Sequence, residues 1–502
     1  MRKAQRAFLI AGIFIASLLY PQLARAQYTA DFQTNVISGV TSNWSGDYYV
    51  GNTNFADVLI IQSAGLFGDI AAFVGNTSAS SNNSVLVTDP GSVWSNHASL
   101  FFGAAGPGNS LVISNGGRVI GFSPSEAFIV GDSSSSSNNS VLVTGSVWSN
   151  AGDITIGLYG VSNSMMIVNG GQVYSNHGLL SSGCGQSGCI DTGYCSVVVS
   201  DLGSTWSNAA DLIVGLTGSG NSLVISNGGT VFSADGIWGG SCIGRNGANS
   251  NSVLVAGTGS LWSNITLYVG HSGAWNSLSI GSNGNVFGGT VISRTGVVGN
   301  FSNSNTVQIA NRGIWRCDSL TVGNLGSSNS VVITDGSIQS TNLLIGAAST
   351  TCDNTVESGP SGFVIVTNAT HNAVLEVRHG TLILNGGLLR VDSLVITNPC
   401  AQFIDTGGLL FVSNMVVDPN LFRITSITHQ SNDLLVTWMM GPGASNALQV
   451  TAGDASGNYN TNGFTDIFVV TNNPSLGTVT NYLDVGAGTN YPSRYYRIRL
   501  VP

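Results

Sequence analysis

A short phrase of sequence, NNSVLVTDPGSVWSN at 82–96, recurs along this chain and constrains its fold more than any other feature. Copies follow as NNSVLVTGSVWSN at 138–150, CSVVVSDLGSTWSN at 195–208 and NSVLVAGTGSLWSN at 251–264. Each copy has the pattern of a short strand, a turn and a second short strand. A chain that repeats such a unit is expected to stack its copies, because one unit alone cannot bury its apolar face.

The phrase belongs to a longer unit of about 55 residues that divides into two similar halves. A second marker, NSLVISNGG at 109–117, keeps the same period, and so do six tryptophans: Trp44, Trp94, Trp148, Trp206, Trp262 and Trp315. Each half of about 27 residues has the size of one coil of a β-solenoid. The sequence therefore predicts an all-β, right-handed parallel β-helix over 27–417, with roughly 14 coils and a length of about 65–70 Å.

Local pattern and composition favour such coils. Alternation in SVLVT sends Val85 and Val87 to one face of a strand and Leu86 to the other. Asn-Gly-Gly turns, as at 115–117, supply positive-φ positions, and the repeated corner asparagines are expected to form side-chain ladders. Gly accounts for 67 of the 502 residues and charged residues for only 8%, a mixture that disfavours helices.

The pattern changes after a hinge at 418–420. Six longer alternating strands fill 421–502, separated by Ser-Asn, Gly-Pro-Gly and Asn-Asn-Pro turns. This part is predicted to be a separate small β-sandwich, similar in size to a fibronectin type III domain.

The first 26 residues have the layout of a signal peptide. A basic start (Arg2, Lys3, Arg6) precedes an apolar core at 8–19 and an Ala-Arg-Ala cleavage site before Gln27. A retained membrane anchor is the alternative, but its apolar core would need about 20 residues. We therefore expect the mature chain to be exported, extracellular or on the outer cell surface or in the periplasm, with no transmembrane segment after cleavage.

Seven cysteines follow the signal-like segment, so at least one is unpaired or bonds another chain. Cys184, Cys189 and Cys195 crowd one insertion, which favours a local disulfide, and their spacing is a poor match to a zinc site. Cys242 takes the place of Ile129 in an apolar-Gly segment and is expected to be a small inward-facing hydrophobic residue.

Four of the periodic tryptophans, Trp94, Trp148, Trp206 and Trp262, are candidate ligand contacts. Facing outward, their rings would lie about 10 Å apart, two coils per step, as a ladder for sugars. The alternative, which we favour, is that they fill the core, because large aromatic residues dominate burial.

The carboxylates do not indicate a catalytic site. Asp153, Asp211 and Asp318 occupy nearly the same slot between a tryptophan and the next apolar-Gly segment, with Asp57 as a weaker candidate, and a residue that recurs in every unit is expected to form turns. Asp191 and Asp201, near the cysteine insertion, are the only irregular pair. Paired carboxylates for hydrolysis, a zinc motif and a phosphate loop are all missing from the pattern, so we expect no enzymatic activity, cofactor or metal. A net charge of −9 argues against a nucleic-acid partner.

The repeats as a whole resemble the bacterial autotransporter or PEP-CTERM-associated repeat, on the segments NSLVISNGG, FIVG, NNSVLVTGSVWSN and DITIG. The resemblance covers about 44–346. It implies a secreted or surface-attached β-helical protein of a Gram-negative bacterium, of a family without a general enzymatic role. Together with the signal-like segment, it predicts a structural or adhesin-like surface protein whose partners are extracellular polysaccharides or cell-envelope components. The alternative is a polysaccharide-degrading lyase or hydrolase built on the same fold.

Overall fold

The computed structural model describes residues 28–125, 127–183, 193–281, 287–396, 398, 400–417, 422–440, 445–471 and 479–501. Within these residues the chain is all-β, as predicted, and consists of a parallel β-helix followed by two small antiparallel sheets. The signal-like segment at 1–26 and the cysteines Cys184 and Cys189 lie outside the described residues.

One sheet runs along a single face of the rod and contributes a strand to each coil. It pairs the start of every coil with the start of the next, in parallel and without slippage, so that Leu111 lies between Val85 and Val141. At ~4.8 Å per step its fifteen described strands span about 67 Å. The strands of this first face are Thr34–Ser38, Val58–Gln62, Ser84–Thr88, Ser110–Ser114, Ser140–Thr144, Ser164–Val168, Ser196–Ser200, Ser222–Ser226, Ser252–Ala256, Ser277–Ile280, Thr306–Ile309, Ser330–Ile333, Asn354–Ser358, Gly380–Leu384 and Gln402–Asp405.

A second sheet covers the other two faces, so each coil has three sides. In the first coils these faces are built from separate short strands. The second face comprises Thr41–Asn43, Leu66–Asp69, Val93–Asn96, Arg118–Gly121, Val147–Asn150, Gln172–Ser175, Thr205–Asn208, Thr230–Phe232 and Leu261–Ser263. The third face comprises Tyr48–Val50, Ala72–Val74, Leu100–Phe102, Phe128–Val130, Ile154–Ile156, Gly178–Leu180, Leu212–Val214, Ser241–Ile243 and Thr266–Val269.

From Thr290 onward the second and third faces merge. Single nine-residue strands pair with both faces of their neighbours, and one coil remains divided by a loop at 367–373. The long strands are Thr290–Val298, Ile314–Val322, Ser337–Ile345, Leu388–Ile396 and Leu409–Val417, and the divided pair is Phe363–Val366 and Val374–Val377.

The core explains why the sequence repeats every two coils. On the second face, from Trp94 to Trp315, each indole alternates in register with a valine, so Val119 pairs with both Trp94 and Trp148, and Val173 with both Trp148 and Trp206. Large and small side chains thus interdigitate along the axis, as dense packing requires. The expected alternation on the first face is also present, since Val85 and Val87 are buried and Leu86 faces outward.

Residues after 421 form two three-stranded antiparallel sheets, in agreement with the six predicted strands. One sheet contains Ile424–Gln430, Asp433–Met439 and Val479–Asp484, and the other Thr465–Thr471, Ser445–Gly453 and Ser493–Val501. Val436, Trp438, Met440 and Leu448 form a core between them.

Candidate functional site

The four candidate tryptophans lie inside the rod. Trp94, Trp148, Trp206 and Trp262 each expose 0% of their surface. The indole nitrogen of Trp94 donates to Asp69 and that of Trp206 to Ser175 Oγ, at 2.8 and 3.2 Å. This placement agrees with the core interpretation, and it leaves no indole surface for the sugar ladder that the spacing also suggested.

The asparagine of each Asn-Ser segment builds a ladder along one corner of the rod. In a typical rung, the Oδ1 atom of Asn251 accepts both the backbone N–H and the Nδ2 amide of Asn221, at 2.9 and 2.8 Å. The ladder side chains are fully buried: Asp57, Asn83, Asn109, Asn139, Asn163, Asn221, Asn251, Asn276, Asn305, Asn329 and Asn354.

The same ladder accounts for the apolar-Gly segments that end the coils. Gly215 has a φ of 81°, and a Cβ placed on it would lie 2.4 Å from the amide of Asn251. Gly103 and Gly131 stand in the same relation to Asn139 and Asn163. The asparagine that begins one coil and the glycine that ends an earlier one are therefore two parts of a single close-packed corner.

The ladder is interrupted where the sequence swells, at Cys195. Its side chain occupies the place of the amide beside Gly157, and Ser181 replaces the next glycine and donates to Asn221 Oδ1 at 2.6 Å. Cys195 is a buried free thiol, and burial raises its pKa. A buried thiol with a raised pKa is a poor nucleophile. Of the predicted cysteine cluster, only Cys195 lies among the described residues.

Cys242 is buried as expected, but the inward orientation predicted for it is wrong. It occupies the central, outward-facing position of its strand, beside Leu179 and Ile213 in a small cluster outside the main core. Trp238 packs over this cluster. The loop that carries Trp238 therefore buries a position that the alternation of a strand alone would leave exposed.

The structure contains a disulfide that the sequence pattern did not predict. Cys352 and Cys400 are bonded across 48 residues. Their partnership follows from the stacking of successive coils, so no local spacing identifies it. The bond joins a loop before the strand Asn354–Ser358 to the corner that precedes Gln402–Asp405.

Two of the recurring carboxylates flank a buried histidine. The Nδ1 atom of His177 lies 2.8 Å from Asp153 Oδ1, and its Nε2 atom lies 3.6 Å from Asp211 Oδ2. Asp211 also accepts the backbone N–H groups of Gly236, at 2.9 Å, and Trp238, at 3.1 Å. These carboxylates fix a corner and a loop, which supports their interpretation as turn-forming residues.

The remaining acidic candidates are dispersed. Asp57 is part of the asparagine ladder, accepting the N–H of Gln33 at 2.9 Å. Asp201 accepts the N–H of Asn169 at a turn, and Asp191 lies outside the described residues. Asp318 is exposed in the middle of the long merged strand Ile314–Val322, so the prediction that it forms a turn is wrong for this residue.

Asp318 lies in a groove at the bend of the merged strands. One cavity of about 480 Å³ is lined by Arg316, Asp318, Gln339 and Thr341, and a second of about 620 Å³ by Arg390 and other residues further along. Thr367 lines both.

The groove mixes apolar and polar side chains in stacked rows. Arg316 Nε donates to the Oε1 atom of Gln339 in the next coil, at 3.0 Å. Asp392 accepts the N–H of Asn368 at 3.0 Å and so holds the loop at the boundary of the two cavities. His371 Nδ1 lies 3.5 Å from the other oxygen of Asp392. This arrangement could contact an elongated polar ligand.

Metal clusters and membrane-spanning helices are both missing from the described part of the chain. These residues contain no group of three or more His, Cys, Asp or Glu side chains arranged to hold a metal ion. Among the same residues, no helix has the length and apolar character needed to cross a membrane.

The chain was also compared with known proteins. No protein-family model matches the sequence, and no curated protein matches it significantly. The resemblance to autotransporter-associated repeats therefore remains a prediction from the sequence motifs.

Proposed function

We propose that this chain is an exported, non-enzymatic structural or adhesive protein of the cell surface, in which the β-helix serves as a rod. The proposal rests on one observation: the side chains that recur in every unit have structural roles. The tryptophans fill the core, and the asparagines and glycines close the corners. Motifs repeated along the whole rod thus maintain an extended scaffold, which suits display or adhesion.

Two further features support an exported location. The first residues have the composition of a signal peptide. The Cys352–Cys400 disulfide is of a kind that persists in oxidising compartments outside the cytoplasm. Extracellular polysaccharides and cell-envelope components are the partners we propose.

Fractionation of native cells into cytoplasm, periplasm, envelope and medium, with an antibody to the rod, tests the proposal directly. We expect the protein in the envelope or medium, shortened by the signal segment. A deletion strain should show reduced attachment to polysaccharide-coated surfaces. Uncleaved protein confined to the cytoplasm contradicts the proposal.

The groove at the bend of the long strands favours one second candidate, a polysaccharide-degrading enzyme. It provides a cleft lined by an exposed carboxylate and a guanidinium group, those of Asp318 and Arg316, whereas Asp153 and Asp211 are held in a corner and a loop. Incubation with a panel of polysaccharides, followed by assay of reducing and unsaturated sugar ends, separates the two candidates. Release that Asp318→Asn abolishes establishes the enzyme; under our proposal, no substrate yields new ends.

A further inference from the structure

In twelve successive coils, from Phe32 to Ser328, the residue two positions before the first-face strand lines up along the rod, and we call this residue the corner position. Its backbone is left-handed, with φ between 53° and 71°. Its N–H donates to a carbonyl of the next coil, as from Tyr194 to Ser219 at 3.1 Å and from Trp275 to Asn303 at 3.4 Å. The corner positions are Phe32, Ala56, Asn82, Gly108, Asn138, Ser162, Tyr194, Gly220, Ser250, Trp275, Ser304 and Ser328.

Three corner positions, Phe32, Tyr194 and Trp275, depart from the small or polar residues that predominate, and their side chains are exposed. Tyr194 is 70% and Trp275 is 65% exposed to solvent. A bulky side chain in left-handed backbone is strained, and such outliers gather at functional sites. Phe32 is 71% exposed, but it lies six coils before Tyr194 and its ring packs edge-on against Phe55, with the centroids 5.0 Å apart, so it is not part of the same site.

Tyr194 and Trp275 lie three coils apart on the line, a distance of about 14 Å. The two corner positions between them are Gly220 and Ser250. Because these residues are small, the surface between the two rings lies below the rings themselves. The Tyr194 ring lies over Gly220, where a Cβ would be 2.9 Å from ring carbons. Within the described part of the chain, the two rings therefore bound a shallow track along the corner.

The polar groups beside this track are neutral and held in place. Asn249 Oδ1 accepts the N–H of Ala274 at 2.7 Å, and Asn303 Oδ1 accepts the N–H of Ser327 at 2.8 Å. Side chains fixed before a ligand arrives lose little entropy when it binds. Amides and hydroxyls of this kind suit a ligand with many hydroxyl groups and no charge.

We propose that Tyr194 and Trp275 form a two-ring binding site for an extended, neutral polysaccharide that runs along the corner. The C–H faces of sugar rings stack on the electron-rich faces of aromatic rings, and the neighbouring asparagines and serines bond the hydroxyls. Nucleic-acid bases also stack on aromatic rings, but such binding depends on basic surface, and this chain has a net charge of −9. The site gives the proposed adhesive function a ligand class and rests on that function for its biological role.

The test uses the full chain, and each substitution introduces a residue that the chain already has at another corner position. Tyr194→Ser and Trp275→Ser introduce the residue found at the corner positions Ser162 and Ser250, so both variants are expected to fold at least as well as the parent. Leu202→Ala, at a residue 87% exposed on a turn away from the corner line, is the matched control. Affinities are measured by calorimetry for neutral glucans, xylans and mannans, for acidic alginate and for oligo-dT.

We expect at least one neutral polysaccharide to bind, each serine variant to bind it roughly tenfold more weakly, and the control to bind it normally. Equal binding by the folded serine variants, or no binding of any neutral polysaccharide, overturns the site. Ring-dependent binding of alginate or oligo-dT in place of neutral polysaccharide also overturns it. Envelope localisation without glycan binding would refute this site alone, whereas cytoplasmic localisation would refute the proposed function.

Discussion

The asparagine ladder predicts a large loss of stability when a single buried amide is removed. Asn251 exposes 0% of its surface. Its Oδ1 accepts two hydrogen bonds from Asn221, and its Nδ2 donates to Asn276 Oδ1 at 3.0 Å. Asn251→Ala removes all three bonds and leaves a small cavity beside Gly215.

The magnitude follows from the groups that remain. The Nδ2 amide of Asn221 keeps the carbonyl of Gly218, at 2.8 Å, but the backbone N–H of Asn221 loses its buried acceptor. An orphaned buried donor costs about 1–3 kcal/mol, and the truncated side chain adds a cavity cost. We therefore expect the free energy of unfolding to fall by about 2–4 kcal/mol.

Urea denaturation followed by tryptophan fluorescence measures the total loss, and amide hydrogen exchange of 221–226 locates it. The control is Asn342→Ala, at an exposed asparagine within a strand, with an expected change within about 0.5 kcal/mol. Equal stability of the two variants, or unchanged exchange of 221–226, refutes the assigned role of the ladder.

The opposite kind of substitution, which adds an asparagine to the ladder, can be made where Cys195 interrupts it. Cys195→Asn supplies an Oδ1 acceptor to Asn163, as Asn163 now supplies one to Asn139 at 2.9 Å. We expect a gain of about 1 kcal/mol in the same urea assay, in keeping with one added buried hydrogen bond. A loss of stability would show that this corner has been remodelled around the thiol.

Three other predictions concern the core, the disulfide and pH. The indole N–H of Trp148 has no partner among the described residues, so Trp148→Phe should destabilise less than Trp206→Phe, as compared by thermal melts. Reduction of Cys352–Cys400 should cost about 4 kcal/mol from the 48-residue separation alone, measured by urea titration with and without reductant. Burial raises the pKa of Asp69 from 3.8 to about 6. Protonated Asp69 therefore stabilises the fold below pH 4 by about 3 kcal/mol, and this contribution is lost as the pH rises from 4 to 6. Asp69→Asn should flatten this part of the stability profile, and an unchanged slope between pH 4 and 6 would contradict the assignment.

Repetition made the fold predictable from the sequence. One register satisfies every copy of the phrase, so the parallel β-helix, the alternation of Val85 and Leu86 and the turns at 115–117 could all be derived. The six strands after 421 were equally clear, because each alternates and ends in turn residues. Such local signals suffice when the tertiary contacts are copies of one another.

The candidate sites were less predictable, because they depend on departures from the repeat. The Cys352–Cys400 bond joins residues that only the stacking brings together. Tyr194 and Trp275 were not candidates, since neither shares the spacing of the buried tryptophans. Their signal was present in the sequence: each directly precedes the residue at the start of a coil, where most copies have Asn, Ser or Gly. Recognising it requires the knowledge that this residue is left-handed and exposed.

The groove also coincides with a small sequence difference, a change of one residue in the spacing between the tryptophan and the following glycine. In the early coils a corner loop, such as 97–99, separates the strands Val93–Asn96 and Leu100–Phe102 and covers the bend between the two faces. Gly323 follows Trp315 one residue sooner than Gly103 follows Trp94. In the coil with this shorter connection, Ile314–Val322 continues through the bend as one strand. The same shortening is already present between Trp262 and Gly270, where Leu261–Ser263 and Thr266–Val269 are still separate, so the loss of one residue per coil precedes the merged strands by one coil.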